Sequence, residues 1–146
     1  MFTVNFAGNV VRHFANTANN GATKHTFVCR SRNCFKTKGA DGKLGYNSTF
    51  ANLVVWTQPR KSGKPTIWER IAESGYDGLL QVEGHLTNDN YTDGAGDKHY
   101  DLVISPTNVS VLEPSKLFGA DESQVAEGQT AIVIDDETGE ASLPTE

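Results

Sequence analysis

With 146 residues, 37% of them apolar, the chain has the length of one domain and enough material for one modest core. Its net charge of −5 hides a segregation: ten Lys/Arg against the single acid Asp41 from Arg12 to Lys64, two bases against nine acids from Pro65 to Glu113, and one base against eight acids from Pro114 onward. No apolar run approaches the roughly 18–20 residues of a membrane span, and the first residues lack a basic-then-apolar leader pattern, so the expectation is a cytoplasmic protein with a basic surface for a polyanion and an acidic tail.

The first stretch, "FTVNFAGNVV", alternates Phe2, Val4 and Phe6 against Thr3 and Asn5. That is strand periodicity, and Gly8 stands where a bulge or sharp bend is wanted. "NTANNGATK" is turn chemistry, and "HTFVCRS" reads as a second strand. Its Cys29 continues the alternation from Phe27. A C-x4-C pair with Cys34 and no further ligand pair fits a buried strand thiol better than zinc, so no metal and no cofactor is expected. "KTKGADGKLGYN", with three glycines, reads as a flexible hairpin loop. "STFANLVVW" is the third strand. One face carries Ala51, Leu53 and Val55; the other carries Phe50, Asn52, Val54 and Trp56, just before the basic loop "TQPRKSGKP".

The period then changes. In "TIWERIAESG", Thr66 followed by Glu69 fits a capping box. Ile67 with Ile71, and Trp68 with Ile71 and Ala72, fall at helical spacing, and Gly75 can end the helix in a left-handed conformation. "GLLQVEGHL" is a fourth strand with Leu80, Val82 and Leu86 on one face, Gln81, Glu83 and His85 on the other, and Gly84 at a barrel corner. "NYTDGAGDKHY" is a hairpin. "HYDLVIS" is the fifth strand, with Tyr100, Leu102 and Ile104 expected inward and "TNVSVLE" finishing it. Three strands, a short helix and two strands is the order of the five-stranded oligonucleotide/oligosaccharide-binding (OB) barrel. The predicted fold is therefore all-β with one short helix: an OB-fold nucleic-acid-binding domain over 1–113 and an acidic, mostly disordered tail over 114–146. Within that tail, "TAIVID" could add as a strand to a neighbour's sheet edge.

Barrels that bind single strands stack bases on aromatic rings and follow the phosphates with Lys and Arg. The chain supplies both. Arg30, Arg32, Lys36 and Lys38 flank Phe35; Arg60, Lys61 and Lys64 follow Trp56; Phe50 shares a strand face with Trp56; and Tyr91 opens the last hairpin. The expectation is a stacking platform edged by phosphate contacts. The rival reading is that Phe50 and Trp56 lie buried under a loop or at a subunit contact.

These blocks carry a resemblance. "NVVRH", "FVCRSRNCF", "FANLVVW" and above all "ERIAESGYDGLLQVEGHLTNDNYTDGAGDKHYDLVI" are similar, over about the first 113 residues, to the bacterial-type single-stranded DNA-binding (SSB) family, in a divergent plasmid- or phage-like form. The resemblance implies single-stranded DNA as ligand, bound without marked sequence preference, with Phe35, Phe50, Trp56 and Tyr91 as the base-stacking positions. It also implies a homo-oligomer or assembly along DNA, in replication, repair or mobile-element transfer, with a tail that contacts itself or a replication or transfer protein. The tail departs from the family by ending "SLPTE" instead of a Pro-Phe tip.

An enzyme is not expected. His13, His25, His85 and His99 are scattered in sequence with no metal or acid–base spacing, and no glycine-rich phosphate loop is present. Two rival functions stand beside the first: a general nucleic-acid binder that takes duplex DNA or RNA as readily as single strands, and an OB-fold protein-interaction module.

Overall fold

The chain adopts the expected order of three strands, a helix and two strands: β1 (Phe2–Thr17), β2 (Thr23–Lys38), β3 (Leu44–Thr57), α1 (Ile67–Ser74), β4 (Leu79–Thr92) and β5 (Lys98–Val111). The structure, a computed structural model, describes residues 1–118 together with 132–134 and 141–142. The strands run β3-β2-β1-β4-β5 with antiparallel neighbours, and a parallel contact between Leu53 and Ile104 joins β3 to β5. This closes the five-stranded barrel of an OB fold. Among the described residues no helix is long and apolar enough to cross a membrane.

β1 closes the barrel by serving two partners: Phe2–Asn9 pairs with β4, and Asn9–Thr17 pairs with β2. Gly8 sits at that handover. A Cβ there would lie 2.5 Å from the Arg30 carbonyl oxygen and 2.6 Å from the Phe6 ring, so the position is a close approach. The irregularity expected at Gly8 falls instead between Val10 and Arg12. Gly84 does mark a corner. The β4–β5 register slips between Glu83 and Gly84, and a Cβ there would meet the Ser105 carbonyl oxygen at 2.4 Å.

The inward faces of the strands supply Phe6, Phe27, Cys29, Leu53, Val55, Leu80, Val82, Ile104, Val109 and Val111. α1 adds Ile67, Trp68 and Ile71, with the Trp68 ring 5.3 Å from that of Phe27. At eight residues α1 is too short to be stable alone. Burial of each isoleucine, at roughly 1.5–3 kcal/mol, fixes it, with its ends sealed as the sequence predicts. The Thr66 hydroxyl accepts the Glu69 N–H at 3.2 Å, and Gly75, at φ 65°, donates to the Ile71 carbonyl. Cys29 is fully buried, and its thiol is pushed up to about 12 by desolvation.

Two expectations are corrected. The segment read as a flexible loop, "KTKGADGKLGYN", is largely a two-stranded ribbon. Lys36 pairs with Tyr46, Thr37 with Gly45 and Lys38 with Leu44, leaving only a tight turn at 39–43. Backbone pairing carries β2 and β3 past the end of the core. Similarly, Tyr100 and Leu102 are exposed, not inward; on that face β5 enters the core only from Ile104 onward. They lie on the part of the β4–β5 hairpin that projects beyond the barrel, opposite Asn90 and Asn88.

After β5, the helix α2 (Pro114–Phe118) returns to the barrel, with Leu117 and Phe118 against the core and the Arg70 guanidinium 5.6 Å from the Phe118 ring. β6 (Ile132–Ile134), the heart of "TAIVID", pairs through Val133 and Ile132 with Ser110 and Val111 of its own β5, and β7 (Ala141–Ser142) pairs with β6. The strand propensity was legible; its partner is this chain's sheet edge. The expectation of disorder falls mainly on positions outside the described residues.

Candidate nucleic-acid interface

In antiparallel sheets, directly opposed residues present their side chains on the same face. The registers of β1, β2 and β3 therefore define rows across the outer face: Asn16, Lys24 and Trp56; Phe14, Thr26 and Val54; Arg12, Val28 and Asn52; Asn9, Arg30 and Phe50. The face continues onto the ribbon with Arg32 opposite Ser48 and Lys36 opposite Tyr46. From Trp56 to Tyr46 the track is roughly 33 Å long at the usual strand rise.

The β4–β5 hairpin walls one end of this face and leaves a groove of about 520 Å³. Phe14, Thr26, Asn52 and Val54 line it from the sheet; Asp89, Tyr91, Asp101 and Val103 line it from the hairpin. Val54 and Val103 are buried, making an apolar floor under polar walls.

Of the expected stacking residues, Phe50 is 62%, Trp56 59%, Phe35 59% and Tyr91 44% exposed. Burial under a loop is thereby overturned for Phe50 and Trp56. Phe50 and Trp56 share the sheet face, and Tyr91 lines the groove opposite. Phe35 sits apart, in the irregular stretch of β2 between Arg32 and Lys36. Arg30, Arg32 and Lys36 lie on the track beside Phe50 and Tyr46. Lys38 is at the ribbon tip. Arg60, Lys61 and Lys64 occupy the loop after β3, where Gly63 donates to the Arg60 carbonyl at 3.1 Å; none of the three lines the groove.

Several residues of this surface were missed from sequence. Arg12 and Phe14 belong to the second half of β1, where the Arg12–Phe14–Asn16 alternation was available but the strand was ended too early. The Arg12 guanidinium lies 4.7 Å from the Phe14 ring centre. Tyr46 was lost inside the supposed loop. Lys24, at the end of the turn-like "NTANNGATK", is a strand residue. Its Nζ lies 2.5 Å from Asp89 Oδ2, a clasp between sheet and hairpin, and 6.0 Å above the Tyr91 ring.

Tyr91 is held from its other neighbours as well. Its ring stacks on His99 at 4.7 Å, and its hydroxyl donates to Asp101 at 3.3 Å. Desolvation, with the carboxylates of Asp101, Asp89 and Asp93, raises its phenol above the usual range, so the donor stays protonated. Asp93 shapes the hairpin turn. It accepts from His99 at 2.8 Å and from the Ala95 and Asp97 N–H groups, and these bonds hold its carboxyl below the usual range.

The histidines are less scattered than the sequence suggests. β1–β2 pairing brings His13 Nε2 to 3.0 Å from His25 Nδ1, and His25 Nε2 lies 3.0 Å from the Thr57 hydroxyl. Desolvation lowers both imidazoles below their ordinary value; for His13 the neighbouring His25 adds to this, and for His25 the Glu69 carboxylate partly opposes it. This chain, partly buried at His13 and buried at His25 and Thr57, lies against Phe27, on the core side of the sheet.

No protein-family model matches this chain, and no curated protein matches it.

Proposed function

We propose that this protein binds single-stranded DNA without marked sequence preference, in the manner of an SSB, by stacking bases on Trp56, Phe50 and Tyr91 and following the phosphates with Arg30, Arg32 and Lys36. The observation that carries this reading is the joining of the two chemistries on one exposed sheet face. Large aromatic side chains are more than half exposed in rows that also hold cations. An exposed Trp and Phe bring no folding energy that would explain them, whereas each stacked base is worth roughly 1–3 kcal/mol.

A duplex keeps its base faces covered by its own stacking, so it cannot use Trp56 and Phe50. That favours single strands over the general nucleic-acid reading. The track of roughly 33 Å fits within the span of about 4–16 nucleotides covered by one such barrel. The resemblance to the SSB family adds the expectation of a homo-oligomer and of service in replication, repair or mobile-element transfer.

The test is a fluorescence titration with labelled single- and double-stranded oligonucleotides of equal length at two salt concentrations. Salt-sensitive binding with a large single-strand preference is expected. Equal affinity for both forms would return the aromatics to mere surface. No binding to either would leave the exposed face as a protein-interaction surface.

A further inference from the structure

The sheet face is electrically two different surfaces. At the hairpin end, Lys24 is already matched by Asp89, and Asp101 adds a second carboxylate to the lining. At the ribbon end lies a separate pocket of about 460 Å³ lined by Asn9, Arg30, Arg32, Tyr46 and Ser48, with no acid among them. Among the described residues, Arg30 and Arg32 form no ion pair, and neither does Lys36 beside them.

The Arg32 guanidinium lies over Tyr46, 4.0 Å from the ring centre, and Lys36 Nζ stands 5.3 Å from the same ring. Stacking fixes a guanidinium's plane while leaving its edge N–H donors free, the fork that matches two oxygens of a phosphate. The Ser48 hydroxyl, opposite Arg32, has no partner among the described residues. Asn9 is anchored by donating from Nδ2 to the Asp77 carbonyl at 3.0 Å, and the Asp77 carboxylate turns to Lys116 at 3.8 Å. Three neighbouring cations with no ion pair among the described residues repel one another, and a bound anion relieves that repulsion.

We infer that Asn9, Arg30, Arg32, Tyr46 and Ser48 form a seat for one phosphate group of a bound strand, with Tyr46 as the positioning residue that holds Arg32 ready. The inference rests on the proposed single-strand binding and gives it a division of labour. Trp56 and Tyr91 take bases toward the hairpin end, where the lining carries acids and repels phosphates, and Phe50 takes one beside Arg30. The backbone is gripped at the ribbon end. The salt dependence of binding therefore originates largely at Arg30 and Arg32.

The experiment is a salt titration of the full chain with a short oligo-dT strand, comparing wild type, the double variant Arg30→Gln/Arg32→Gln, Tyr46→Ala, Tyr46→Phe and Trp56→Ala. Both arginines are exposed, so the fold should survive, as thermal unfolding will verify. Each phosphate contact contributes about 0.7 to the slope of log K against log salt for single strands. The double variant should lose about 0.7 from that slope, the share of the one phosphate in the seat. Tyr46→Ala should lose part of the same amount, Tyr46→Phe should keep it, and Trp56→Ala should weaken binding at an unchanged slope. A double variant with the wild-type slope, beside a Trp56→Ala variant that binds weakly, overturns the seat but keeps the stacking face. A wild type that binds no single strand overturns the functional reading itself, and the seat with it. Equal binding of 5′-phosphorylated and 5′-hydroxyl strands assigns the seat to an internal phosphodiester; a preference for the phosphorylated strand that the double variant abolishes assigns it to a strand end.

Discussion

Replacing Asp89 by asparagine should tighten binding of single strands. In the free protein the Lys24–Asp89 clasp ties the sheet to the hairpin, with both side chains only 20–24% exposed, and it holds the ammonium above the Tyr91 ring. A base that stacks on Tyr91 from the groove must move Lys24, and a phosphate that takes Lys24 must displace Asp89. The Asp89→Asn variant keeps the shape and removes the competitor. One freed cation adds a contact worth about 0.7 in the salt slope. At 0.1 M salt that amounts to roughly a five-fold gain in affinity, and it vanishes toward 1 M. The cost in folding stability is small, about 0.2–1 kcal/mol for a pair that still meets solvent. A fluorescence titration with oligo-dT from about 0.05 to 1 M salt, the range over which counterion release is read, gives both quantities. Tighter binding by a constant factor at every salt concentration would mean that Asp89 acts through hairpin position and not charge. Unchanged or weaker binding with an intact fold would remove Lys24 from the phosphate path.

Trp56→Ala and Phe50→Ala should each weaken single-strand binding by roughly 1–3 kcal/mol if each ring carries one base, with little change in melting temperature because both rings are exposed. Two full-affinity variants would end the stacking model. Gly84→Ala should destabilise the barrel by about 1–3 kcal/mol or more, since the new Cβ would meet backbone at 2.4 Å; an unshifted thermal unfolding curve would contradict the close approach. The lowered values of His13 and His25 make a pH prediction. In the unfolded chain these rings take up protons as the pH drops through about 6.5, while the folded chain resists, so stability is complete above that value and declines below it. Asp93 and Glu113, whose carboxyls are lowered, lose their contribution only as the pH falls through and below the ordinary carboxylate range, so the two windows separate. A melting temperature that stays flat from about pH 7.5 to 5.5, either side of the ordinary imidazole value, would refute the histidine assignment.

Most of the barrel was readable because, inside it, alternation and burial coincide. Leu53, Val55, Leu80 and Val82 are apolar at period two, and they do point into a core. The reading failed where strands outrun the core. Alternation identifies which residues share a face; it does not say whether anything covers that face. Tyr100 and Leu102 continue the inward face of Ile104, yet at their height no strand among the described residues lies opposite the hairpin, and they are exposed. The same limit hid the ribbon. Gly39, Gly42 and Gly45 read as a loop, but backbone hydrogen bonds need no apolar side chains, and β2 and β3, already paired over the core, keep pairing out to the turn at 39–43. The four expected stacking rings came from local context on single strands. What escaped was pairwise and non-local. Lys24 matters because Asp89, 65 positions away in sequence, folds opposite it, and Tyr46 matters because Arg32 lies over its ring. A sequence shows which residues can bind; which of its cations are already spoken for is decided by the register between strands. Among the described residues that register leaves Arg30 and Arg32 without an ion pair and Lys24 held, so charge-changing variants should divide along that line and not by the number of bases in each loop.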